Sequence, residues 1–188
     1  MVLSKKDSMN RLLIIGASGL LGQALINSFK DKYSVIGALS RSQINHDYDN
    51  IKHHNVDVLD PQAVDSVIKN YDVIINCTGQ ITYPSNSCLS LNTIGITNIV
   101  NSVKKNANKL IQISSVSVYG NANYVDENSE LCPVTIYGSM KCFSEYIIKL
   151  NLDNYSILRV SNLYGSGQKK GIVNYLQQSF LSGEKNIY

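Results

Sequence analysis

The sequence predicts an α/β fold, an open and mostly parallel doubly wound sheet with helices on both faces. Three observations carry this. Short apolar runs alternate with helical patterns at spacings that suit strand–helix–strand crossovers. Two runs, RLLII and YDVIINCTG, are continuously apolar, as parallel strands covered on both faces are. A glycine-rich turn, GASGLLG, stands directly between the first run and the first helical pattern.

The elements follow in order. Residues 1–10 read as a polar lead-in. RLLII is a buried strand, and QALINSFK after the glycines has helical periodicity. YSVIGAL is a second strand, weakened by Gly37. The polar region from Ser40 to His54 reads as a long loop, and HNVDV as a short third strand that Asp57 and Val58 end. Asp60 and Pro61 form a helix cap followed by proline at the first helical position, so a helix is expected to about Asn70. YDVIINCTG is the fourth strand. A helix is expected between Asn86 and Lys105, and KLIQISS is the next strand. A polar loop from Gly120 to Cys132 leads to a helix containing IYGSMKCFSE. YSILRVSNLYG supplies one more strand and its loop.

Composition narrows the function classes. The chain has 188 residues, 44% apolar and 16% charged, which suits one folded domain with at most a partial second one. Its 17 basic and 14 acidic residues give a net charge of +3 without the dense basic patch that nucleic-acid binding requires. No apolar run is long enough for a membrane span, and MVLSKKDSMN is not a secretory signal, so a cytoplasmic protein is expected. Cys77, Cys88, Cys132 and Cys142 form no C-x-x-C pair, which fits a reduced compartment. His46, His53 and His54 lack a metal-ligand pattern and read as solvated, and no metal site is expected.

A sheet of this kind binds its ligand beyond the carboxyl ends of its strands. Gly16 permits a tight turn, Gly19 lets a pyrophosphate approach the backbone, and Gly22 allows close helix–strand packing. Ser18, Leu20 and Leu21 belong to the same dinucleotide-binding turn. The helix that follows offers free N–H groups to an anion. At the end of the second strand stand Ser40 and Arg41, with no carboxylate. Arg41 suits a 2′-phosphate, which tilts the cofactor toward NADP over NAD, or else it is a solvated arginine. Asp57 and Val58 are placed at the adenine edge, with a turn role as the alternative for Asp57. Cys77, Thr78 and Gly79 end the fourth strand beside the dinucleotide. There Gly79 permits close backbone approach, and Cys77 reads as a buried packing residue.

Ser114 and Ser115 lie where a strand meets its loop, suited either to a substrate oxygen or to local backbone bonds. Tyr137 and Lys141 are four residues apart and share a helix face. A phenol needs help to exchange a proton near neutrality, and an ammonium group favours the phenolate. The reading is therefore that Tyr137 is a general acid or base, Lys141 its tuner and a holder of the ribose hydroxyl, and Ser115 the group orienting the same oxygen.

GASGLLG at 16–22, LNTIGITNI at 91–99, ISSVSVYG at 113–120, YGSMK at 137–141 and RVSNLYG at 159–165 together resemble the extended short-chain dehydrogenase/reductase family. That family contains sugar-nucleotide epimerases, dehydratases and reductases. The resemblance implies a Rossmann-type domain over residues 11–168, with residues 169–188 opening a substrate-binding portion, so that the chain is truncated, the sequence incomplete, or part of the sugar pocket lost. It matches Gly16, Gly19 and Gly22 to the pyrophosphate turn and Ser115, Tyr137 and Lys141 to the catalytic set. It matches Asn92 to a helix asparagine linked to active-site order and counted with the cofactor site. Asn162 falls in the loop that approaches the nucleotide-linked sugar. Family dehydratases carry an acidic pair directly after the catalytic Ser or Thr, and this chain has Val116 and Ser117, which counts against 4,6-dehydratase chemistry. Two chemistries remain, epimerisation of a nucleotide-linked sugar and NADPH-dependent reduction of a nucleotide-linked 4-keto-6-deoxy sugar. A third reading is a non-catalytic nucleotide-binding sensor or assembly protein. A homodimer is expected by analogy, through Ile136, Ile147, Ile148 and Leu152, or else those residues are core.

Overall fold

The computed structural model describes residues 11–42, 44, 48–79, 83–165 and 172–183. Six strands form one sheet: β1 (Arg11–Ile15), β2 (Val35–Ser40), β3 (Ile51–Asn55), β4 (Val73–Asn76), β5 (Lys109–Ser115) and β6 (Tyr155–Val160). Their order is β3-β2-β1-β4-β5-β6, and every neighbouring pair is parallel. Direction of winding reverses between β1 and β4, which opens a crevice beyond their carboxyl ends.

The helices are α1 (Leu20–Phe29), α2 (Pro61–Ile68), α3 (Ser85–Ser90), α4 (Ile96–Asn106), α5 (Ile136–Asn151) and α6 (Ile172–Ser182). Strand alternation assigns side chains to two cores. Leu13 and Ile15 of β1 pack with Leu39, Ile74, Val64, Ile99 and Ile148 on one face. Leu12 and Ile14 pack with Ile26, Ile36, Ile75 and Ile113 on the other. Each of the four β1 residues is fully buried, as a central strand covered twice requires.

Local chemistry sets the element ends. The Asp60 carboxylate accepts the Gln62 and Ala63 N–H groups, both at 3.0 Å, with Pro61 in the first turn of α2. Thr135 caps α5 by accepting the Gly138 N–H at 3.0 Å.

The structure refines several sequence expectations. The third strand is Ile51–Asn55, so part of the supposed Ser40–His54 loop is an edge strand. Its polar residues are tolerated because an edge strand is covered poorly. Asp57 and Val58 lie after the strand, where Asp57 accepts the Leu59 N–H at 3.0 Å and closes a turn. The helix expected over 86–105 runs from α3 into α4 through a π-helical turn at Leu91–Gly95. Ile148 and Leu152 are core, and Ile147 packs against it, so of the four residues considered for a dimer contact only Ile136 is exposed. His53 and His54 lie in β3, where His54 shares a 2.7 Å hydrogen bond with the Tyr71 hydroxyl. His46 and residues 1–10, 169–171 and 184–188 lie outside the described residues. No described helix is long and apolar enough to cross a membrane.

Candidate active site

The cleft has two lobes joined over the glycine turn. One, about 240 Å³, is lined by Gly16, Ser18, Gly19, Ser40, Arg41, Asp57, Val58, Cys77, Thr78 and Gly79. The other, about 460 Å³, is lined by Leu20, Leu21, Gly22, Ser115, Tyr137 and Asn162, and shares Gly16, Gly19 and Cys77 with the first. Residues from seven chain segments thus meet where the winding reverses.

The turn is built for close approach. Gly16 has φ of +81°, a conformation that favours glycine. A Cβ on Gly22 would stand 2.4 Å from the Gly16 carbonyl oxygen, so only glycine lets α1 start this close to β1. No side chain caps α1 and no acidic residue occupies its first turn, so its N–H groups and positive dipole end face the cleft. These features fit a dinucleotide pyrophosphate. Opposite them Gly79, with φ of +78°, leaves space that a Cβ would fill against Asn92 at 2.2 Å.

Asn92 does not reach the cleft surface. It is 2% exposed, within the π-helical turn, and its amide donates to the Gly79 and Cys88 carbonyls at 3.2 and 2.9 Å. It shapes the turn that lines the cleft, so the expected cofactor contact becomes a supporting one. Ser40 is also turned inward: it is 5% exposed and donates its hydroxyl to the Ser42 carbonyl. Arg41 and Asp57 meet across the mouth of the first lobe, Nη1 to Oδ2, at 3.9 Å. A carboxylate that the end of β2 itself lacks is therefore supplied from another segment.

At the other end, a hydrogen bond joins Tyr137 to the Ser115 side chain. Burial raises the Tyr137 phenol above its ordinary pKa, and the Ser115 bond opposes that rise. Ser115 Oγ also contacts Ser117 Oγ at 3.1 Å. Lys141 Nζ lies 5.9 Å from the Tyr137 ring centroid. It is fully buried and donates to the Thr78 and Ile113 carbonyls at 3.2 and 3.1 Å. Two backbone carbonyls thus take two of its three N–H donors and leave one for the expected contact with a ribose hydroxyl. Burial lowers the Lys141 pKa to about 8, so its charge is set to change near neutrality. Burial pushes the Cys77 thiol up to about 12, which keeps it protonated and fits a packing role.

Sequence reasoning missed Gly138. A Cβ there would sit 2.5 Å from the Ser117 carbonyl oxygen, so glycine lets α5 press against the serine turn and bring Tyr137 to Ser115. Its signal was the second letter of YGSMK.

The buried lysine has a thermodynamic consequence. Its pKa is lower in the folded than in the unfolded chain, so burying the charge costs stability throughout the range below about 8. That cost is relieved as the pH rises toward the ordinary lysine value. Lys141→Met is expected to stabilise the chain by on the order of 1–3 kcal/mol at pH 7, with the gain shrinking toward pH 10. Urea unfolding at both pH values checks this, and a constant or reversed difference would contradict it.

Residues 12–188 match the NAD dependent epimerase/dehydratase family. The chain belongs to this family. A Methanocaldococcus jannaschii protein provisionally named UDP-glucose 4-epimerase is 28% identical over 198 residues, covering 94% of this chain and 65% of the relative. Methionine adenosyltransferase 2 subunit beta of Xenopus tropicalis is 31% identical, covering 85% and 48%. Uronate dehydrogenase of Pseudomonas putida is 28% identical, covering 84% and 61%. The Bordetella bronchiseptica enzyme WbmG in complex with NAD superposes with a TM-score of 0.87 at 18% identity, covering 98% of this chain and 64% of that one. The chain thus spans about half to two thirds of the length of these relatives.

Proposed function

We propose that this chain belongs to an NAD(P)-dependent oxidoreductase or epimerase acting on a nucleotide-linked sugar at a carbinol or keto carbon. The observation that carries the reading is that Ser115 and Tyr137 line one lobe of the cleft beside the glycine turn, with the buried Lys141 Nζ 5.9 Å from the Tyr137 ring centroid. When bound, a nicotinamide dinucleotide accepts or supplies the hydride. The chain's own residues do the rest. The glycine turn and α1 would hold the diphosphate, and Cys77, which lines both lobes, would stand beside the reactive ring. The Tyr137 phenolate takes the proton from a sugar hydroxyl, or the Tyr137 phenol gives one to a keto oxygen. Ser115 holds that oxygen in line, and the Lys141 charge favours the phenolate that forms. Asn162 is available to the sugar nucleotide.

Reduction of a nucleotide-linked 4-keto-6-deoxy sugar by NADPH uses the same groups in one direction only. Arg41 supports NADP through its guanidinium fork, while Asp57 beside it disfavours a 2′-phosphate. Arg41→Ala is expected to weaken NADPH binding by about tenfold and NADH binding by less than about twofold. Equal losses in a fluorescence titration would remove the 2′-phosphate contact.

A second reading, a non-catalytic nucleotide-binding subunit, is favoured by the relative named as a subunit of methionine adenosyltransferase. Tight NAD(P) binding without hydride exchange across nucleotide-linked keto and hydroxy sugars would select it. Turnover of any of them would select the enzyme. Pairing into a homodimer is supported by Ile136, Phe143, Tyr146 and Leu150, which are exposed along α5.

A further inference from the structure

Behind the candidate site lies a buried acidic residue that the proposed chemistry does not use. Glu145 follows Lys141 by one turn of α5, and both are fully buried on the same helix face. Its Oε1 accepts the Ser114 hydroxyl at 2.6 Å and Arg159 Nε at 3.0 Å, and its Oε2 accepts Arg159 Nη2 at 2.7 Å. Arg159 Nη1 donates onward to the Tyr119 hydroxyl at 2.7 Å and to the Glu127 carbonyl at 3.0 Å. Strands β5 and β6, helix α5 and the loop after Tyr119 are therefore joined through one carboxylate.

Ser114 is the neighbour of Ser115, and alternation along the strand turns the first toward α5 and the second toward the cleft. We propose that Glu145 is a positioning residue for the candidate site, tying the strand end that carries Ser115 to the helix face that carries Tyr137 and Lys141. The proposal rests on the reading of that site as catalytic. A buried ion pair is an expensive way to gain stability alone, since apolar residues of similar size do as well or better. Here the pair adds two things that apolar packing lacks. It fixes Ser114 by a hydrogen bond to a charge, and it leaves a carboxylate facing the same interior as the Lys141 ammonium.

The groups around Lys141 are Cys77 from the end of β4, Cys88 from α3, and Tyr137 and Glu145 from α5. Around Glu145 are Arg159 from β6, Ser114 from β5, and Lys149 on its own helix at 3.7 Å. Burial keeps the Cys77 thiol protonated, and Glu145 is an anion that favours a charged Lys141.

Two readouts on the cofactor-free chain test the tie. NMR of isotope-labelled lysine, with the Lys141 signal assigned by its loss in Lys141→Arg, follows its titration. Amide hydrogen exchange follows the strand end. In Glu145→Gln the Lys141 midpoint is expected to fall by roughly half a pH unit or more. Exchange at Ser115–Ser117 is expected to quicken on the order of tenfold. Ser114→Ala removes no charge, so it should quicken that exchange similarly while leaving the Lys141 midpoint in place. It also keeps the proposal refutable if Glu145→Gln does not fold. An unmoved midpoint in folded Glu145→Gln, or unaltered exchange in Ser114→Ala, would overturn it. NAD⁺ titrated into the parent chain separates the two readings. Binding without either shift refutes the tie alone, and both shifts without binding refute the cofactor reading alone.

Discussion

Tyr137→Phe is expected to lower turnover by about 10²–10⁴-fold while NAD(P) affinity changes less than about threefold. The substitution removes one oxygen and keeps the ring. Tyr137 lines the lobe that also holds Ser115 and Asn162, whereas the phosphate turn belongs to the joint with the other lobe. Loss of the hydroxyl therefore strikes proton transfer and leaves the dinucleotide cradle intact. Burial raises the phenol pKa, so a free Tyr137 is poised as a donor rather than as a phenolate. The Lys141 charge must help when the proton leaves, and that help fades as the pH rises through the lysine value of about 8. Turnover in the direction that deprotonates a sugar hydroxyl should therefore lose its electrostatic support above that pH. Near-normal turnover in Tyr137→Phe with every competent substrate would remove the role.

Arg159→Ala is expected to destabilise the chain by about 3–5 kcal/mol at pH 7. Arg159 is mostly buried and its partner carboxylate fully so, and removing the guanidinium leaves Glu145 a buried anion without its main partner. Burial opposes ionisation of Glu145, but hydrogen bonds from Arg159 and Ser114 outweigh it and hold the carboxyl below its ordinary range. A carboxyl with a depressed folded value contributes stability above the unfolded value and loses it as the pH falls through the folded one. In Arg159→Ala the depression is gone, because burial then acts with little opposition. The gap between parent and variant should be largest near neutrality and narrow as the pH drops toward about 4. Chemical unfolding at pH 7 and pH 5 reads this directly, and a gap that widens on acidification would contradict it.

Much of the fold was legible because its signals are local. The apolar runs RLLII and VIIN are continuous, the glycine turn is contiguous, and Asp60–Pro61 announces a helix start by itself. The edge strand was misjudged because Lys52, His53 and His54 hide a pairing that only β2 supplies. The π-helical turn at Leu91–Gly95 was invisible because its cause is tertiary: Asn92 must reach Gly79 while Ser144 donates to the Asn92 carbonyl at 3.0 Å. At the site, Ser115, Tyr137 and Lys141 were found from spacing and motif, and the structure brings them together. Spacing could not show that the Lys141 amine would be satisfied by two carbonyls, nor that Asp57 would meet Arg41. Those contacts join residues 16–63 positions apart, and no window along the chain contains them.

A structure of the chain with bound NADP⁺ tests the central claim most directly. The account predicts the diphosphate over Gly16–Gly22 and the nicotinamide between Cys77 and Tyr137. It also predicts the Tyr137 hydroxyl and Ser115 Oγ within reach of one substrate oxygen at the reactive carbon. A dinucleotide seated elsewhere, or a nicotinamide that leaves the Tyr137 hydroxyl on the far side of the cleft, would contradict it.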